Sequence, residues 1–570
     1  MKKITFVLFL VFCALTTVQS QEWAWVKNFQ NNDYAFSNSF IDNDKNVYTT
    51  GNFNTPNFSI ENLQFTNSSG TPPNPNVNYT DAYITKHDSN GNLIFAKHFL
   101  GSKHESFSSI TFDGTGNFYA TGYFGGDITL GATTHVAPNL ETKSFIAKFD
   151  LNGNVIWSKS ISYHGNSILK YKNGNLYLTG THSGNTFSYD NLVTPSADYT
   201  AVVDYMDKTI IAKLDLFGNA IWLKSSTYNG TPNIQNSHRL GTQPKGITVD
   251  NNGNVYVAGH YFSNSTTFGT QTLNRNAASN NANLFIVKYD NVGTFGWAST
   301  ATTSSASHST VYDIQADDLN NVFLTGTVYN SNANFGGSTI SFIGNAGSYL
   351  AKYNSSGVVS WVKGGRIATD AAPNANLGSN IFDKIYFDSN NNIFISGVFY
   401  GFINFGNNYT IQNPNFTGTL FSVKYDQTGI ASEYIKIADV AQSREIKILD
   451  IEDSTYYYAG KLNDATINLG PITLQNDTGN QTYIAKRDVS LEVGEVLISN
   501  SVYPNPTTSF VTISNFQEGM QYKIFDISGK LVKENKLDSP SLIVEELLSG
   551  NYILQITNGL LTENLKLVKI

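Results

Sequence analysis

Short apolar runs alternate with clusters of Asp, Asn and Gly, and one such pattern recurs from about residue 40 to 490. Each unit begins with an apolar run that ends in Asp. An Asn/Gly turn and a second run ending in Thr-Gly or a variant follow, as in 112–124, 249–262 and 387–400. After a variable stretch come a third run ending in Lys-x-Asp, another Gly-containing turn and a fourth run. Apolar runs between turn residues predict β-strands, so each unit predicts four antiparallel strands.

The unit occurs seven times, and two of its positions align along the whole region. A glycine ends the second predicted strand, at Gly51, Gly122, Gly180, Gly259, Gly326, Gly397 and Gly460. The lysine of Lys-x-Asp or its variants recurs at Lys86, Lys148, Lys213, Lys288, Lys352, Lys424 and Lys486. Seven repeats of four strands predict an all-β fold, namely a seven-bladed β-propeller.

Aromatic residues and Asn-Gly pairs occupy fixed places in the unit. A large aromatic opens the fourth predicted strand of the first five units, at Phe95, Trp157, Trp222, Trp297 and Trp361. A buried aromatic side chain removes about 150–250 Å² from water, so this set predicts packing between blades, with a ligand cage as the alternative. Asn-Gly pairs at 90–91, 152–153, 173–174 and 252–253 predict type I′ hairpin turns, because both central residues of that turn need a positive φ.

The seventh unit has three predicted strands and lacks the fourth after residue 488. Residues 22–29, EWAWVKNF, contain the missing motif, since their WVK matches WSK at 157–159 and WVK at 361–363. We therefore expect the N-terminal strand to complete the seventh blade, which would close the ring and remove its two exposed edges. The sixth unit departs from the pattern, with Glu433 and Tyr434 where Trp is expected.

The units resemble the bacterial β-propeller repeats known as SBBP repeats, which have the patterns D-x-x-GN-x-Y-x-x-G and F-x-A-K-x-D-x-x-G-x-x-x-W. The resemblance covers about residues 22–490. It implies propeller architecture and says almost nothing about activity, because the family has no shared catalytic site.

The N-terminal 20 residues have the features of a secretory signal peptide. Lys2 and Lys3 precede an apolar run at 4–15, and the small residues Val18 and Ser20 precede Gln21, so we expect cleavage between Ser20 and Gln21. A membrane anchor is the alternative, but the run is shorter than the ~20 apolar residues of a span. The single cysteine lies in this run, so the mature chain would have no disulfide, thiolate metal site or cysteine nucleophile.

Residues 500–570 change in composition and resemble the type A C-terminal sorting domain of the type IX secretion system of Bacteroidetes. The blocks that carry the resemblance contain Tyr503, Pro504, Asn505 and Pro506, then Gly529 and Lys530, then Gly550 and Tyr552, and finally Lys566 and Lys569. The resemblance implies the type IX machinery as a partner, export across the outer membrane, removal of the tail, and release or attachment to surface lipopolysaccharide. Alternating short strands also predict a small β-sandwich.

Composition narrows the function classes. Charged residues make up 14% of the chain, against about 25% in an average soluble domain. The net charge of −8 excludes a broadly basic nucleic-acid or anionic-membrane binder, so we expect neither partner. The expected organisation is a signal peptide at 1–20, a propeller at 21–493 and a sorting domain at 500–570, with no transmembrane segment after signal removal.

No motif assigns a catalytic residue, a cofactor or a metal. His182 and His260 follow the repeated glycine and could line one face of the ring. The turns that begin at Asp88, Asp150 and Asp250 mimic the first half of an EF-hand loop but lack its glutamate at position 12. We interpret them as hairpin turns capped by the Asp side chain.

In a four-strand meander, the first and third connections lie on one edge, while the second connection and the link between units lie on the other. The long connections 53–81, 227–245, 263–282 and 364–382, with Tyr228, His238 and Arg239, therefore collect on one face. This favours a secreted or outer-surface binding module whose long-loop face holds a glycan or a protein. A secreted carbohydrate-active hydrolase or lyase is the alternative.

Overall fold

The structure is a computed structural model that describes residues 23–30, 38–68, 79–138, 142–161, 167–183, 186–194, 207–228, 241–275, 282–303, 308–329, 333–340, 346–364, 381–406, 409–413, 417–441, 445–452, 455–476, 481–488, 502–513, 516, 519–558 and 561–570. The predicted signal peptide, the cleavage site between Ser20 and Gln21, and the loop residues His238 and Arg239 lie outside the described residues, as do most of 227–245 and 364–382.

The described part of the chain is all-β, and residues 23–488 form seven antiparallel sheets of four strands. Sheet 1 consists of Ser39–Ile41, Val47–Phe53, Asp81–His87 and Leu93–Phe99. Sheet 2 consists of Glu105–Phe112, Asn117–Gly125, Thr142–Asp150 and Val155–Ile161. Sheet 3 consists of Ile168–Lys172, Asn175–Ser183, Asp207–Leu214 and Ala220–Ser225. Sheet 4 consists of Thr242–Val249, Val255–Tyr261, Asn283–Tyr289 and Phe295–Ser299.

The remaining three sheets have the same order of strands. Sheet 5 consists of His308–Ala316, Val322–Tyr329, Ala346–Tyr353 and Val359–Lys363. Sheet 6 consists of Ile381–Phe387, Ile393–Tyr400, Gly418–Tyr425 and Ala431–Val440. Sheet 7 consists of Ile446–Glu452, Thr455–Leu462, Gln481–Asp488 and the N-terminal strand Trp23–Gln30, which pairs antiparallel with Gln481–Asp488.

The second connection of every sheet holds a short two-stranded hairpin. The hairpins are Asn57–Ile60 with Leu63–Thr66, Asp127–Leu130 with Thr133–Val136, Ser188–Tyr189 with Leu192–Val193, Ser265–Phe268 with Gln271–Asn274, Ala333–Phe335 with Ser338–Ile340, Phe402–Asn404 with Thr410–Gln412, and Thr466–Leu469 with Ile472–Gln475. Thr302–Thr303 adds a third strand to the fifth hairpin. Each hairpin buries apolar side chains, such as Phe58 and Phe268, so much of these connections is regular structure instead of the free loop that was expected.

Apolar clusters join each sheet to the next. One cluster combines Tyr48 of sheet 1 with Phe118 of sheet 2, and five more link the following sheets in turn. A seventh cluster contains Phe29, Tyr457 and Ile484 of sheet 7 together with Val47 and Phe53 of sheet 1. The apolar core therefore lies between the sheets, where both faces of an inner strand are covered.

The repeated tryptophans also act between sheets. Trp157, for example, is partly buried, donates from Nε1 to the carbonyl of Leu216 in sheet 3 at 3.2 Å and lies against Gly218 of the same turn. Trp222, Trp297 and Trp361 repeat this contact with the next sheet at 3.1–3.2 Å. Trp25 in the N-terminal strand makes the equivalent contact with the carbonyl of Ser89 in sheet 1, at 3.0 Å.

This geometry explains why the sixth unit lacks a tryptophan. The indole covers the turn between the third and fourth strands of the following sheet. Sheet 7 has no such turn, because its fourth strand comes from the N-terminus. Glu433 stands at the tryptophan position and accepts a hydrogen bond from the Tyr456 hydroxyl at 3.4 Å.

The repeated lysines stack on aromatic rings within their own sheets. All seven Nζ atoms lie 4.9–5.7 Å from the centroid of a ring on the neighbouring second strand. Several also donate to the next sheet, as Lys288 does to the carbonyl of Ser355 at 2.8 Å. The Lys-x-Asp motif is thus structural, since a cation over an aromatic face is attracted by the ring quadrupole.

Two local expectations were wrong. The repeated glycines do not end the second strands but lie inside them. At several of these glycines an aromatic side chain of the third strand crosses the backbone and leaves no room for a side chain. At Gly51, for instance, an added Cβ would come within 2.4 Å of the Tyr83 ring. The Asn-Gly pairs at 90–91, 152–153 and 252–253 are not type I′ turns, because only the glycine has a positive φ. At 173–174 both residues have a positive φ, as that turn requires.

The tail folds as two sheets around one core. A three-stranded sheet contains Val502–Tyr503, Phe510–Ile513 and Ser541–Ile543. A four-stranded sheet contains Leu531–Lys536, Gln521–Asp526, Gly550–Asn558 and Leu561–Lys569. Val511, Leu542, Ile524, Leu554 and Leu567 from the two sheets share one buried cluster, in agreement with the predicted sandwich.

Candidate functional site

The first strands of all seven sheets line one cavity of about 900 Å³. Its walls come from the segments 38–41, 106–112, 167–170, 244–247, 312–316, 384–387 and 447–449. We call it the channel cavity. A single space bounded by one strand from every sheet is the arrangement expected where blades meet around an axis.

Bulges in the first strands shape this wall. The register shifts between Phe107 and Ser109, Pro244 and Gly246, Val311 and Asp313, Phe382 and Lys384, and Ile448 and Asp450. Each shift leaves one extra residue on the first strand. A bulge turns side chains out of the regular alternation, and bulges are common next to functional sites.

Among the described residues, the charged side chains that line the channel cavity are those of Lys170, Lys245, Lys384, Lys447 and Asp313. Four cations face one carboxylate there, in a chain with a net charge of −8. These lysines were not among the residues singled out by the repeat pattern. Their signal in the sequence is a Lys among apolar residues of the first strand in four of the units, as in SILKYKN and REIKILD.

Hydrogen bonds connect these groups across the cavity. Lys170 in sheet 3 donates to Gln315 of sheet 5 at 3.4 Å, passing over sheet 4. Gln315 donates to both carboxylate oxygens of Asp313 at 3.4 and 3.5 Å. Asp313 also accepts from the backbone N–H of Ile385 in sheet 6 at 3.0 Å, so the wall groups of sheets 3, 5 and 6 form one polar layer.

Lys384 and Lys447 extend the layer to sheets 7 and 1. Lys384 lies 3.6 Å from the carboxylate of Asp383 and donates to the carbonyl of Tyr312 at 3.4 Å. Burial opposes the charge of Lys384, but Asp383, Asp313 and Glu445 raise its pKa. Lys447 donates to the carbonyl of Ser39 at 3.4 Å. Burial and then the charge of Lys384 lower the pKa of Lys447 to about 7.

Two carboxylates beside these lysines also have shifted pKa values. Burial raises the pKa of Asp383, with Lys384 opposing the shift and Asp313 adding to it. Burial and then Asp383 raise the pKa of Glu445. A group of shifted acids and bases around one cavity is a physical reason to place a functional site there.

A second cavity, of about 810 Å³, opens among the short turns of sheets 5, 6, 7 and 1. Carboxylates dominate its charged lining, which consists of Lys45, Lys424, Asp317, Asp318, Asp388, Glu433, Asp450 and Glu452. Most of these acids are already bound to neighbours. Asp450, for example, accepts from Lys45 at 2.8 Å and from the Tyr386 hydroxyl at 2.7 Å.

The Asp-x-Asn-x-Asn turns hold their own carboxylates. Asp88 Oδ1 accepts from the backbone N–H groups of Asn90 and Asn92 at 2.9 and 2.8 Å, and its Oδ2 accepts from the Asn92 side chain at 2.9 Å. Burial would raise the pKa of Asp88, but these hydrogen bonds lower it. Among the described residues, no group of three His, Cys, Asp or Glu side chains is placed to hold a metal ion.

The other candidate residues lie away from the channel cavity. The His182 ring packs 5.2 Å from Phe187, and the largely buried His260 ring packs 5.4 Å from Phe262. Tyr228 is buried beneath Lys208, whose Nζ is 5.8 Å from the ring centroid. All three side chains therefore contribute to packing within the protein.

The blocks of the tail motif converge at one end of its four-stranded sheet. Asn505 donates to the carbonyl of Lys566 at 2.6 Å and accepts from the N–H of Val568 at 2.8 Å. Gly550 pairs with Lys569, and Asp526 pairs with Tyr552. Gly529 and Lys530 belong to the turn after Asp526, whose carboxylate accepts from the Lys530 N–H at 3.1 Å. Tyr503 and Pro504 precede Asn505, and Pro506 follows it.

Two family models match the chain. Residues 501–570 match the model described as "Secretion system C-terminal sorting domain". The tail is a secretion-system sorting domain. Residues 235–260 match the model described as "Beta-propeller repeat", so both resemblances drawn from the sequence motifs are confirmed. The sorting domain supports secretion to the cell surface.

Comparisons with individual proteins are weaker. An uncharacterized WD repeat-containing protein of Acanthamoeba polyphaga mimivirus is 24% identical over 478 residues, which cover 71% of this chain and 33% of that protein. The chain thus spans about a third of the length of this curated relative.

No described segment forms a helix with the length and apolar character needed to cross a membrane.

Three solved structures align over most of the chain at low scores. PorZ of Porphyromonas gingivalis, a surface component of the type IX secretion system, is 10% identical with a TM-score of 0.14, covering 96% of this chain and 100% of its own. A periplasmic gluconolactonase of Pseudomonas aeruginosa is 8% identical with a TM-score of 0.33, covering 73% and 98%. A Dyadobacter fermentans protein of unknown function is 10% identical with a TM-score of 0.33, covering 81% and 99%. Such scores carry no argument about activity.

Proposed function

We propose that this chain is a cell-surface binding module, a seven-bladed propeller closed by its N-terminal strand and exported through its sorting tail. Closure is supported by the pairing of Trp23–Gln30 with Gln481–Asp488. It is also supported by the apolar cluster between sheets 7 and 1 and by the hydrogen bond from Trp25 to Ser89. A closed ring leaves no sheet edge open to pair with another chain.

The channel cavity carries the binding proposal. It combines about 900 Å³ of space with converging charged, hydroxyl and aromatic side chains from seven sheets. Concave sites on a rigid scaffold with a few convergent polar groups are where small ligands usually bind. Its lining suits a glycan or the end of a protein segment that enters from the hairpin edge, where the long connections collect.

Export is proposed to depend on the converging end of the tail. Tyr503, Ile527, Leu548 and Ile570 expose apolar side chains close in sequence to the motif blocks, and Ile527 and Leu548 are 83% and 82% exposed. Where such exposed apolar side chains form one patch, they mark an interaction surface. Ile527→Lys and Leu548→Lys should each retain the protein in the periplasm. Ile543→Lys, at a 59% exposed position on the other sheet, should still reach the surface, and equal delivery of all three would contradict this surface.

The binding proposal is tested by screening the purified secreted protein on an array of bacterial, plant and animal glycans, beside a pull-down with bacterial surface proteins. We expect a saturable ligand whose binding is lost when Ser109 in the channel wall is replaced by Trp. A parallel melting curve must show that the variant is folded. A ligand that binds this variant and the wild type equally would place the site outside the channel cavity.

A hydrolase or lyase is the second candidate, and one observation favours it. Lys447 has a pKa of about 7, which suits a general base at neutral pH. Incubation with the polysaccharides that bind should then release new chain ends, and Lys447→Met should stop their release. Binding without any new chain ends would leave the binding module as the function.

A further inference from the structure

We propose that the channel cavity binds an acidic saccharide, one that carries carboxylate or sulfate groups, through Lys170, Lys384 and Lys447. This inference rests on the proposed binding function and specifies its ligand class.

Charge is the first argument. The channel cavity is lined by four lysines and one aspartate, whereas the second cavity at the short-turn edge is lined by six carboxylates and two lysines. Counting Asp383 and Glu445 beside the channel lysines still leaves four lysines against three acids, and burial lowers the pKa of Lys170 and of Lys447. An anion beside these lysines would favour their charged forms and would be attracted more strongly in the low-dielectric wall than at the exposed surface, so the channel is a lysine-rich candidate site for an anion.

The geometry of the lysines is the second argument. Lys170 donates to the neutral side chain of Gln315 at 3.4 Å. This distance exceeds the usual 2.7–3.2 Å of an N–H···O hydrogen bond. An anionic oxygen would give the Lys170 ammonium a shorter, charge-assisted bond. Lys170, Lys384 and Lys447 come from three different sheets, so they can surround one ligand group.

The rest of the lining favours a saccharide over an acidic peptide. Ser106, Ser108, Ser109, Ser167 and Thr111 line the wall, and all of these hydroxyls except that of Ser108 also hydrogen-bond within the protein. Phe40, Phe112, Tyr312 and Tyr386 add aromatic rings. Hydroxyl groups can exchange hydrogen bonds with sugar hydroxyls, and aromatic rings supply apolar surface for the C–H face of a sugar.

The acidic short-turn edge also indicates the direction of entry. Asp317, Asp318 and Asp388 stand at that edge and would repel an anion. The ligand should therefore enter from the hairpin edge, which keeps the long connections as the approach to the site.

Proton linkage supports the same site. Burial and Lys384 lower the pKa of Lys447, while Asp313, Asp383 and Glu445 raise it. An anion held beside Lys447 would raise its pKa again, so binding at pH 8 should take up protons. The affinity should then fall as the pH rises from 6 to 9, because a neutral Lys447 no longer attracts the anion.

The test compares matched immobilised polymers by biolayer interferometry with the full secreted protein. Dextran sulfate is paired with dextran, and polygalacturonate with its methyl ester, so each pair differs only in its anionic groups. Polyglutamate represents acidic peptides. We expect binding to at least one acidic polysaccharide that is at least tenfold tighter than binding to its neutral partner and weakens with added salt. The sulfate and carboxylate pairs distinguish the two kinds of anion.

Lys447→Met and Lys170→Met should each weaken this binding at least tenfold and flatten its pH dependence or salt dependence. Lys436→Met is the control, because Lys436 is 55% exposed and pairs with Asp439 on the outer strand of sheet 6. Melting curves of all three variants report folding, and the neutral Met side chain is expected to keep both channel variants folded.

Four results would overturn the inference. Equal binding of acidic and neutral partners, or unchanged affinity in both channel variants, would remove the cationic site while leaving the binding function in place. Tighter binding of polyglutamate than of any polysaccharide would replace the saccharide by an acidic peptide. Absence of binding to any of the five polymers would also overturn the inference. The proposed binding function fails only if the glycan array and the protein pull-down are negative as well.

Discussion

Replacing Trp25 by Ala tests whether the N-terminal strand closes the ring in solution. Trp25 is partly buried, donates to the Ser89 carbonyl at 3.0 Å and packs edge-on against Tyr457, with 6.3 Å between ring centroids. Its indole also covers Gly91 of the sheet 1 turn. The side chain therefore joins sheet 7 to sheet 1 through one hydrogen bond and one apolar contact.

The size of the effect follows from these contacts. A tryptophan that buries about 100–150 Å² contributes about 2.5–4 kcal/mol at 25 cal/mol per Å², which is an upper estimate. The hydrogen bond adds about 0.5–1.5 kcal/mol, although water can replace part of it at this edge. Because alanine keeps some of the buried area, we expect Trp25→Ala to lower the free energy of unfolding by about 3 kcal/mol. Trp25→Phe should cost about 1 kcal/mol, mainly the hydrogen bond.

Urea unfolding of the purified chain, followed by circular dichroism and by tryptophan fluorescence, measures these differences. Trp361→Ala is the matched control, because Trp361 makes the same contact between two sheets that are consecutive along the chain, at 3.1 Å from the Gln427 carbonyl. Similar losses in the two variants would support closure. A loss below about 0.5 kcal/mol for Trp25→Ala, beside a loss of several kcal/mol for Trp361→Ala, would refute it.

Three other perturbations test separate parts of the structure. Deleting 501–570 should leave a folded protein in the periplasm, and cell fractionation that finds it on the surface would contradict the sorting role. Burial, with a smaller contribution from a nearby lysine, lowers the pKa of His87 from 6.5 to about 4, so the unfolded chain binds more protons between these values. Stability should therefore fall as the pH drops from 6.5 to 4, and His87→Phe should flatten that part of a urea-unfolding series. Gly218→Ala should cost about 1–3 kcal/mol, because φ is +71° and the new Cβ would lie 2.7 Å from Trp157. Gly174→Ala, at φ +73° with open space around it, should lose only the strain part in the same assay.

Much of the architecture was readable from local pattern. Sheets 1 to 6 are each built from strands close together in the chain, and their turns carry the Asp, Asn and Gly residues that such turns need. A single copy of the pattern would predict the strands only weakly. Its recurrence in seven imperfect copies predicts them, because the same positions align in every unit. The N-terminal WVK motif even pointed to its place at the edge of sheet 7, because a motif repeated in every unit identifies its own missing copy.

The second-connection hairpins were not predicted, although their signal is present in the sequence. Segments such as TINLGPITLQ and STTFGTQTLN repeat two short alternating runs around a glycine. Their insertion between longer strands, with variable lengths on both sides, made them look like loops. Their apolar side chains are buried only once the hairpin folds against its sheet.

The candidate site belongs to the tertiary structure. Lys170, Asp313, Lys384 and Lys447 are 277 residues apart from first to last, and nothing in their local sequence relates them. They share a cavity because every sheet presents its first strand to the same space, with bulges at Asp313 and Lys384 in two of these strands. The sequence by itself determined the strands, the repeat and the sorting tail, since these depend on neighbours along the chain. Only the arrangement of the sheets decided which charges meet, because burial and electrostatic coupling depend on distance in space.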